Sequence, residues 1–255
     1  MNQQNLLTQI AAYWDERIHD LAITTHPVGT PGFFKELDAY RYEKLNYLPR
    51  LVDFSSSKGK SLLEVGCGAG IDLVRFARAG ARVTGIDLSA TALDLASRNM
   101  EQNGLNADLQ KMNGECMNFA DNTFDVVYAH GVLQYTADTQ KMVAEIHRVL
   151  KPGGQAIMMV YNRISWLNLL HHATKVPLEH EDAPVLKKFS INELKQLLQP
   201  FKSYQIIPER FPVKTKLHSG WKARMFNEVF VGIFNLLPKA VVRPVGWHLM
   251  SFAWK

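Results

Sequence analysis

Two rhythms of apolar residues alternate through the middle of the chain. Short runs of strand length fall at 61–65, 82–87, 124–129 and 155–161. Between them lie stretches with apolar positions at helical spacing: 71–79, with Leu73, Val74, Phe76 and Ala77 on one stripe, then 91–103 and 139–150. A further strand at 107–112 is short and polar, whereas 124–129 is continuously apolar, the mark of a strand buried on both faces. Such alternation demands an α/β fold with a parallel sheet and right-handed crossovers. Upstream, residues 5–20 place Leu6, Leu7, Ile10, Tyr13, Trp14 and Ile18 at amphipathic spacing, and a breaker-rich loop follows at 26–32. A second helix at 33–48 is crowded with Phe33, Phe34, Tyr40, Tyr42 and Tyr47. Downstream, a helix is predicted at 165–172, and Ser190-Ile191-Asn192-Glu193 is a capping box opening a helix to Leu198. Strands are expected near 204–208 and 246–254.

The turn after the first strand reads Gly66-Cys67-Gly68-Ala69-Gly70. Glycine takes positive φ and lets a second molecule approach the main chain, so strand, G-x-G-x-G, helix marks a ligand crossing a βα turn. The dinucleotide fingerprint differs, with its third glycine one position later. Asp87 closes the second strand, well placed to accept both hydroxyls of a ribose lying across the crevice. Ser89 is left to cap the helix that follows.

Composition narrows the class. The chain has 255 residues, 47% of them hydrophobic, which supplies an ample core. A formal charge of +5 without any Lys/Arg block argues against nucleic acid. Cys67 and Cys116 make neither a disulfide framework nor a metal cluster, and Cys67 inside the glycine turn suggests a reducing compartment. The adjacent His171 and His172 point to different helix faces and do not read as a metal site. The first residues lack a signal-peptide layout, and no apolar run reaches membrane-span length. The expectation is a cytoplasmic protein.

Four segments in order carry a resemblance: Glu64-Val65-Gly66-Cys67-Gly68, Gly85-Ile86-Asp87-Leu88-Ser89, Asp121-Asn122-Thr123-Phe124-Asp125-Val126-Val127, and Arg148-Val149-Leu150-Lys151-Pro152-Gly153-Gly154. Over about 60–165 the chain resembles class I S-adenosylmethionine (SAM)-dependent methyltransferases, in particular the small-molecule group related to ubiquinone and menaquinone methyltransferases. The resemblance implies a Rossmann-like, doubly wound, seven-stranded sheet with an antiparallel last strand. It implies SAM as cofactor and S-adenosylhomocysteine as product, with a small-molecule acceptor. Gly66, Cys67 and Gly68 would line the methionine end, with Glu64 orienting the amino group. Asp87 would bind the ribose and Leu88 would pack on the adenine. The segment Asn113-Gly114-Glu115 stands where relatives carry Asp-Ala-Glu. Asn for Asp is a departure, although an amide oxygen still accepts from the adenine amino group.

His130 is a candidate contact to SAM or a general base, and equally a structural histidine. Methyl transfer is an in-line displacement on an activated carbon, so a base is needed only for a protonated nucleophile. Arg41 is a candidate partner for the SAM carboxylate from an N-terminal helical lid (1–50), or a solvated helix-face arginine. The acceptor pocket is expected among Tyr13, Tyr40, Tyr135 and Tyr161. Residues 209–244 read as a helical insertion within the main domain (51–255). Met225, Phe226, Val229, Phe230, Ile233, Phe234 and Leu237 form its apolar stripe, flanked by Lys214, Lys216, Lys222, Arg224, Lys239 and Arg243. Core packing, pocket closure, and membrane-surface or partner contact all suit that make-up. The leading expectation is methyl transfer to a small aromatic or apolar molecule. A lipid or quinone acceptor at a membrane surface, and a non-catalytic SAM-binding protein, are the alternatives.

Overall fold

The computed structural model describes residues 3–17, 23–175, 177–214 and 220–255. Ile18 and Lys216 lie outside the described residues, as do the side chains of Lys222 and Lys239. The chain opens with α1 (Gln3–Glu16) and α2 (Pro31–Lys44), followed by a single turn, α3 (Leu48–Leu51). The core follows as β1 (Ser61–Val65), α4 (Ile71–Arg78), β2 (Arg82–Asp87), α5 (Ala90–Gln102), β3 (Asp108–Lys111), β4 (Phe124–His130), α6 (Thr139–Val149) and β5 (Leu150–Tyr161). Then come α7 (Trp166–Thr174), α8 (Ile191–Leu197), β6 (Ser203–Glu209), a helical insertion, and β7 (His248–Trp254).

The strands form one seven-stranded sheet in the order β3-β2-β1-β4-β5-β7-β6. Strands β1 to β5 are parallel, and β7 runs antiparallel to both β5 and β6. Alternate residues of a strand point to opposite faces. Leu63 and Val127 therefore pack with Ile146, Val149 and Leu194 on one side. Leu62, Val126 and Tyr128 pack with Leu73, Phe76 and Trp247 on the other. Strand order reverses between β1 and β4, and the crevice at the carboxyl ends of these strands is where such sheets bind ligands.

Three departures from the expected boundaries have local causes. Helix α2 starts at Pro31, because Thr30 Oγ1 accepts from the Phe33 N–H and proline suits the first helical position. It stops at Lys44, with Leu45 out of helical geometry at φ −112° and ψ 49°, and this break places Tyr47 in the core. Strand β5 begins at Leu150, inside the expected stop signal, because Gly153 N–H donates to the Lys255 carbonyl and Gly154 accepts from the Lys255 N–H. Strand β7 starts at His248 rather than Gly246. Gly246 lies flat against the Glu209 backbone, where a Cβ would come within 2.7 Å of the Glu209 nitrogen.

The insertion is α9 (Trp221–Arg224), a π-helical stretch (Met225–Phe230) and α10 (Val231–Leu236), run together. Phe226, Phe230 and Phe234 pack on Trp166 at the start of α7, with ring centroids 6.0–6.5 Å away. One face thus packs on the fold. The other exposes Met225, Val229, Ile233 and Leu236.

Candidate functional site

The carboxyl ends of β1, β2 and β4, roofed by α1 and α2, enclose a cavity of about 250 Å³. Its floor begins at the glycine turn. Gly66, Gly68 and Gly70 all take positive φ, at 67°, 52° and 71°. A Cβ on Gly66 would sit 2.4 Å from Val132 Cγ2, whereas one on Gly68 would meet nothing within 4 Å. The first glycine is demanded by packing; the second leaves main chain open to whatever fills the cavity. Gly66→Ala is expected to lower the thermal unfolding midpoint by several degrees, combining a clash with a strained φ at about 1–3 kcal/mol. Gly66→Ala/Val132→Ala should recover part of that loss in the same melt; no recovery would count against the clash as its cause.

Glu64 points into this space from β1. It is buried, and its Oε2 has no hydrogen-bond partner among the described residues. Burial pushes its carboxyl well above the usual range, and the nearby negative charge of Asp72 pushes it further. An acid so placed calls for a cation. Because its folded pKa lies above the unfolded value, Glu64 holds a proton that the unfolded chain releases. Its contribution to stability is fully present below the unfolded glutamate pKa and is lost as pH rises through the folded one. Glu64→Gln is therefore expected to stabilise the ligand-free protein at neutral pH by about 1–2 kcal/mol, an advantage that disappears in acid. Urea unfolding at two pH values checks this, and a variant less stable than wild type at neutral pH would contradict it.

Asp87, at the end of β2, accepts from the Gly68 N–H at 3.0 Å through Oδ2 and from the Ser89 N–H at 2.9 Å through Oδ1. Burial pushes its carboxyl up, while these N–H donors pull it down. Each oxygen still has a lone pair to offer a hydroxyl. Ser89 does cap α5, accepting from the Ala92 N–H at 3.0 Å, and its own hydroxyl donates to Asp15 Oδ1 at 2.8 Å. That bond ties α1 down over the crevice. Leu88, Asn113, Gly114 and Glu115 line the same end, together with Cys67 at the turn, whose thiol burial pushes up. Asn113 Oδ1 accepts from the Glu115 N–H at 2.9 Å. Glu115 in turn accepts from the Asp138 N–H at 3.0 Å, and its Oε2 is buried without a partner among the described residues.

Several expected contacts fall elsewhere. Leu7, Ile10 and Trp14 form the stripe of α1 that faces the cavity. Tyr13 does not line it; its hydroxyl donates to Asp182 at 2.8 Å and lies 3.1 Å from His180 Nδ1. Tyr40 does not line it either; it is half-buried, with the Lys44 ammonium over its ring. Tyr135 and Tyr161 do line the cavity, their hydroxyls 3.2 Å apart. Arg41 reaches the wall, but its fork is given to Asp72, with Nε–Oδ1 at 2.8 Å and Nη2–Oδ2 at 2.5 Å, rather than held open for a ligand. His130 is neutral, its pKa pushed down to about 3 by burial and then by Arg41. Both of its ring nitrogens are engaged, Nδ1 with Arg41 and Nε2 with Tyr47, so the ligand-free imidazole offers no spare base.

Other residues of the site escaped the sequence reading. Asp72, at the start of α4, accepts from Arg41, from the Tyr42 hydroxyl and from the Tyr128 hydroxyl. Arg210 sits in a left-handed conformation, φ 59°, while its carbonyl accepts from Trp166 Nε1 at 2.9 Å. Its guanidinium reaches the cavity between Glu179 and His248.

A family model described as a methyltransferase domain matches residues 63–158. Curated relatives resemble that part of the chain. The ubiquinone biosynthesis O-methyltransferase of Coxiella burnetii (strain Dugway 5J108-111) is 32% identical over 132 residues, 52% of this chain and 55% of that protein. The protein of the same name from Pseudomonas paraeruginosa (strain DSM 24068 / PA7) is 36% identical over 131 residues, 51% of this chain and 55% of its own. The chain thus spans about half the length of the curated relatives it matches. The fold extends further: geranyl diphosphate C-methyltransferase from Streptomyces coelicolor A3(2), solved with Mg²⁺, geranyl diphosphate and S-adenosyl-L-homocysteine, superposes with a TM-score of 0.60. That match covers 97% of both chains at 19% identity. The cavity fits SAM on its own terms. The orphaned Glu64 carboxylate suits an ammonium, the open glycine main chain suits close passage, and Asp87 suits a ribose diol.

Proposed function

We propose that the protein transfers a methyl group from SAM to a small acceptor with a ring or apolar chain. The observation that carries this reading is the buried, unpartnered Glu64 oxygen, set in one cavity with the open turn and Asp87. Bound there, SAM would supply a methyl group on a positively charged sulfur. Glu64 would pair with its ammonium, Asp87 would take the ribose hydroxyls, and Leu88, Asn113 and Gly114 would flank the adenine. The chain's remaining task is to hold the acceptor and exclude water. Trp14, Tyr135, Met159 and Tyr161 give that end of the cavity its apolar, aromatic walls, and Arg210 and His248 give it polarity. The relatives' O-methyltransferase names support oxygen as the first acceptor atom to test. Methyl-labelled SAM, incubated with the protein and aqueous and lipid extracts of its host, should label a small product. If SAM binds but no extract fraction is labelled, the non-catalytic alternative replaces this reading.

A second reading, an acceptor carried in a lipid surface, is favoured by the exposed apolar face of the insertion. Trp221 is 73% and Leu236 84% exposed, and Arg224 and Arg243 lie exposed at its borders. Among the described residues no helix is long and apolar enough to cross a membrane. Flotation with anionic vesicles tests surface attachment: the protein should rise with them, and Leu236→Glu should release it. A protein that stays at the bottom of the gradient removes this reading.

A further inference from the structure

The acceptor end of the cavity holds a guanidinium with one edge in use and another open. Arg210, directly after β6, lines the cavity with a side chain that is only 13% exposed. Its Nη1 donates to Glu179 Oε2 at 3.3 Å and to His248 Nε2 at 2.9 Å. Its Nη2 donates to Glu179 Oε1 at 2.6 Å. A guanidinium carries five N–H donors in a planar fork. Glu179 thus takes the end of the fork, between the two Nη atoms, and His248 takes the outer Nη1 hydrogen.

What remains is the long edge, where the Nε–H and the outer Nη2–H lie parallel. That edge matches the two oxygens of a carboxylate. The Nε–H has no partner among the described residues, yet it is not sealed in protein, as the Glu64, Glu115, Gln134 and Trp247 atoms are. It therefore opens on the cavity that Arg210 lines. Arg41 is arranged the other way, with its Nε and Nη2 edge already occupied by Asp72.

The backbone is strained to keep this side chain in place. Arg210 has φ 59°, in the left-handed region that a β-carbon disfavours. Its carbonyl accepts from Trp166 Nε1 at 2.9 Å and from the Trp247 N–H at 3.3 Å, which fixes the turn. Among the described residues, Asn122, Lys175 and His180 also take positive φ, but only Arg210 of the four lines the cavity. Glycine would relieve that backbone, so the side chain is the reason for an arginine there. Beside it, Tyr161 stacks on His248 with ring centroids 5.6 Å apart and planes 20° from parallel. These rings form a flat wall that ends at the guanidinium.

We propose that the acceptor carries a carboxylate, bound by the Nε and Nη2 edge of Arg210 while its ring or chain lies along the Tyr161 and His248 wall. The carboxylate is a handle and the methyl group is received elsewhere on the molecule. One guanidinium edge suits the single charge of a carboxylate, whereas a phosphate, at about −1.5 to −2, calls for further cations. Lys44 also pairs with Glu179, at 3.0 Å, so Glu179 keeps a cation when Arg210 divides its charge between two carboxylates. This inference deepens the methyl-transfer reading above and rests on it.

The test reads the charge of the product without knowing the acceptor. Methyl-labelled SAM is incubated with the protein and deproteinised host extracts, and the labelled product is passed over an anion exchanger. It should be retained at neutral pH and released at about pH 3, below the ordinary carboxyl pKa. Labelled product that is uncharged at neutral pH, or that stays anionic at about pH 3 as a phosphate does, would overturn the proposal and leave methyl transfer standing. No labelled product, with S-adenosylhomocysteine bound, would remove the methyl-transfer reading and this one with it. Arg210→Gln should raise the KM for the purified acceptor at least about tenfold, the loss of a charged hydrogen-bonded pair, with S-adenosylhomocysteine affinity unchanged. Arg210→Lys, a cation without the fork, should recover only part of that loss. An unchanged KM in Arg210→Gln would show that Arg210 serves Glu179 alone. Should that variant fail to fold, the charge of the product made by wild type still decides.

Discussion

Asp87→Ala is expected to weaken SAM binding about 100-fold or more by calorimetry. Two ribose hydroxyls donating to an ionised carboxylate contribute about 1.5 kcal/mol or more each, and about 1.4 kcal/mol is a factor of ten. The carboxylate has a second task, since its two oxygens also receive the Gly68 and Ser89 N–H groups. Asparagine cannot replace it, because an amide NH₂ would be turned against one of those donors. Asp87→Asn should therefore also bind weakly, despite its matching shape. Affinity within a few-fold of wild type in both variants would move the ribose away from β2.

The second large effect is on stability. Asp72→Asn is expected to cost about 3–5 kcal/mol in denaturant unfolding, the usual result of removing one partner from a buried ion pair. Asp72 is 2% exposed and is the common acceptor for Arg41, Tyr42 and Tyr128. Burial works against its charge, but Arg41 more than offsets that and holds its carboxyl well below the ordinary range. A depressed folded pKa means stability that is present above the unfolded aspartate pKa and lost as pH falls towards the folded one. Wild type should lose stability on acidification more steeply than Asp72→Asn. Parallel acid limbs, or a loss under about 1 kcal/mol, would show the pair to be dispensable.

The contrast between Asp87 and Asp72 shows how much of this molecule was legible in the sequence. Asp87 was readable because its role depends on local order: a strand end, a fixed distance after a glycine turn, with Ser89 beside it to take the cap. The strands were readable for the same reason, and the apolar run of β4 lies at the centre of the sheet. Asp72 was not, because its partners lie 30 to 56 residues away on α2 and β4. The one available hint was an acid beside the apolar stripe of α4. His248, Arg210 and Tyr47 meet through β7, the end of β6 and the break after α2, a juxtaposition set by strand order. Tyr13 was misjudged for a simpler reason. Both it and Trp14 fit an amphipathic helix, but only one of two neighbours can face the cavity, and the Asp182 contact takes Tyr13.

The central claim, a SAM site built on Glu64, the glycine turn and Asp87, is tested most directly by titrating the purified protein with S-adenosylhomocysteine in a calorimeter. One molecule should bind per chain, and Asp87→Ala should abolish most of the heat. No binding to wild type, or undiminished binding to the variant, would contradict it.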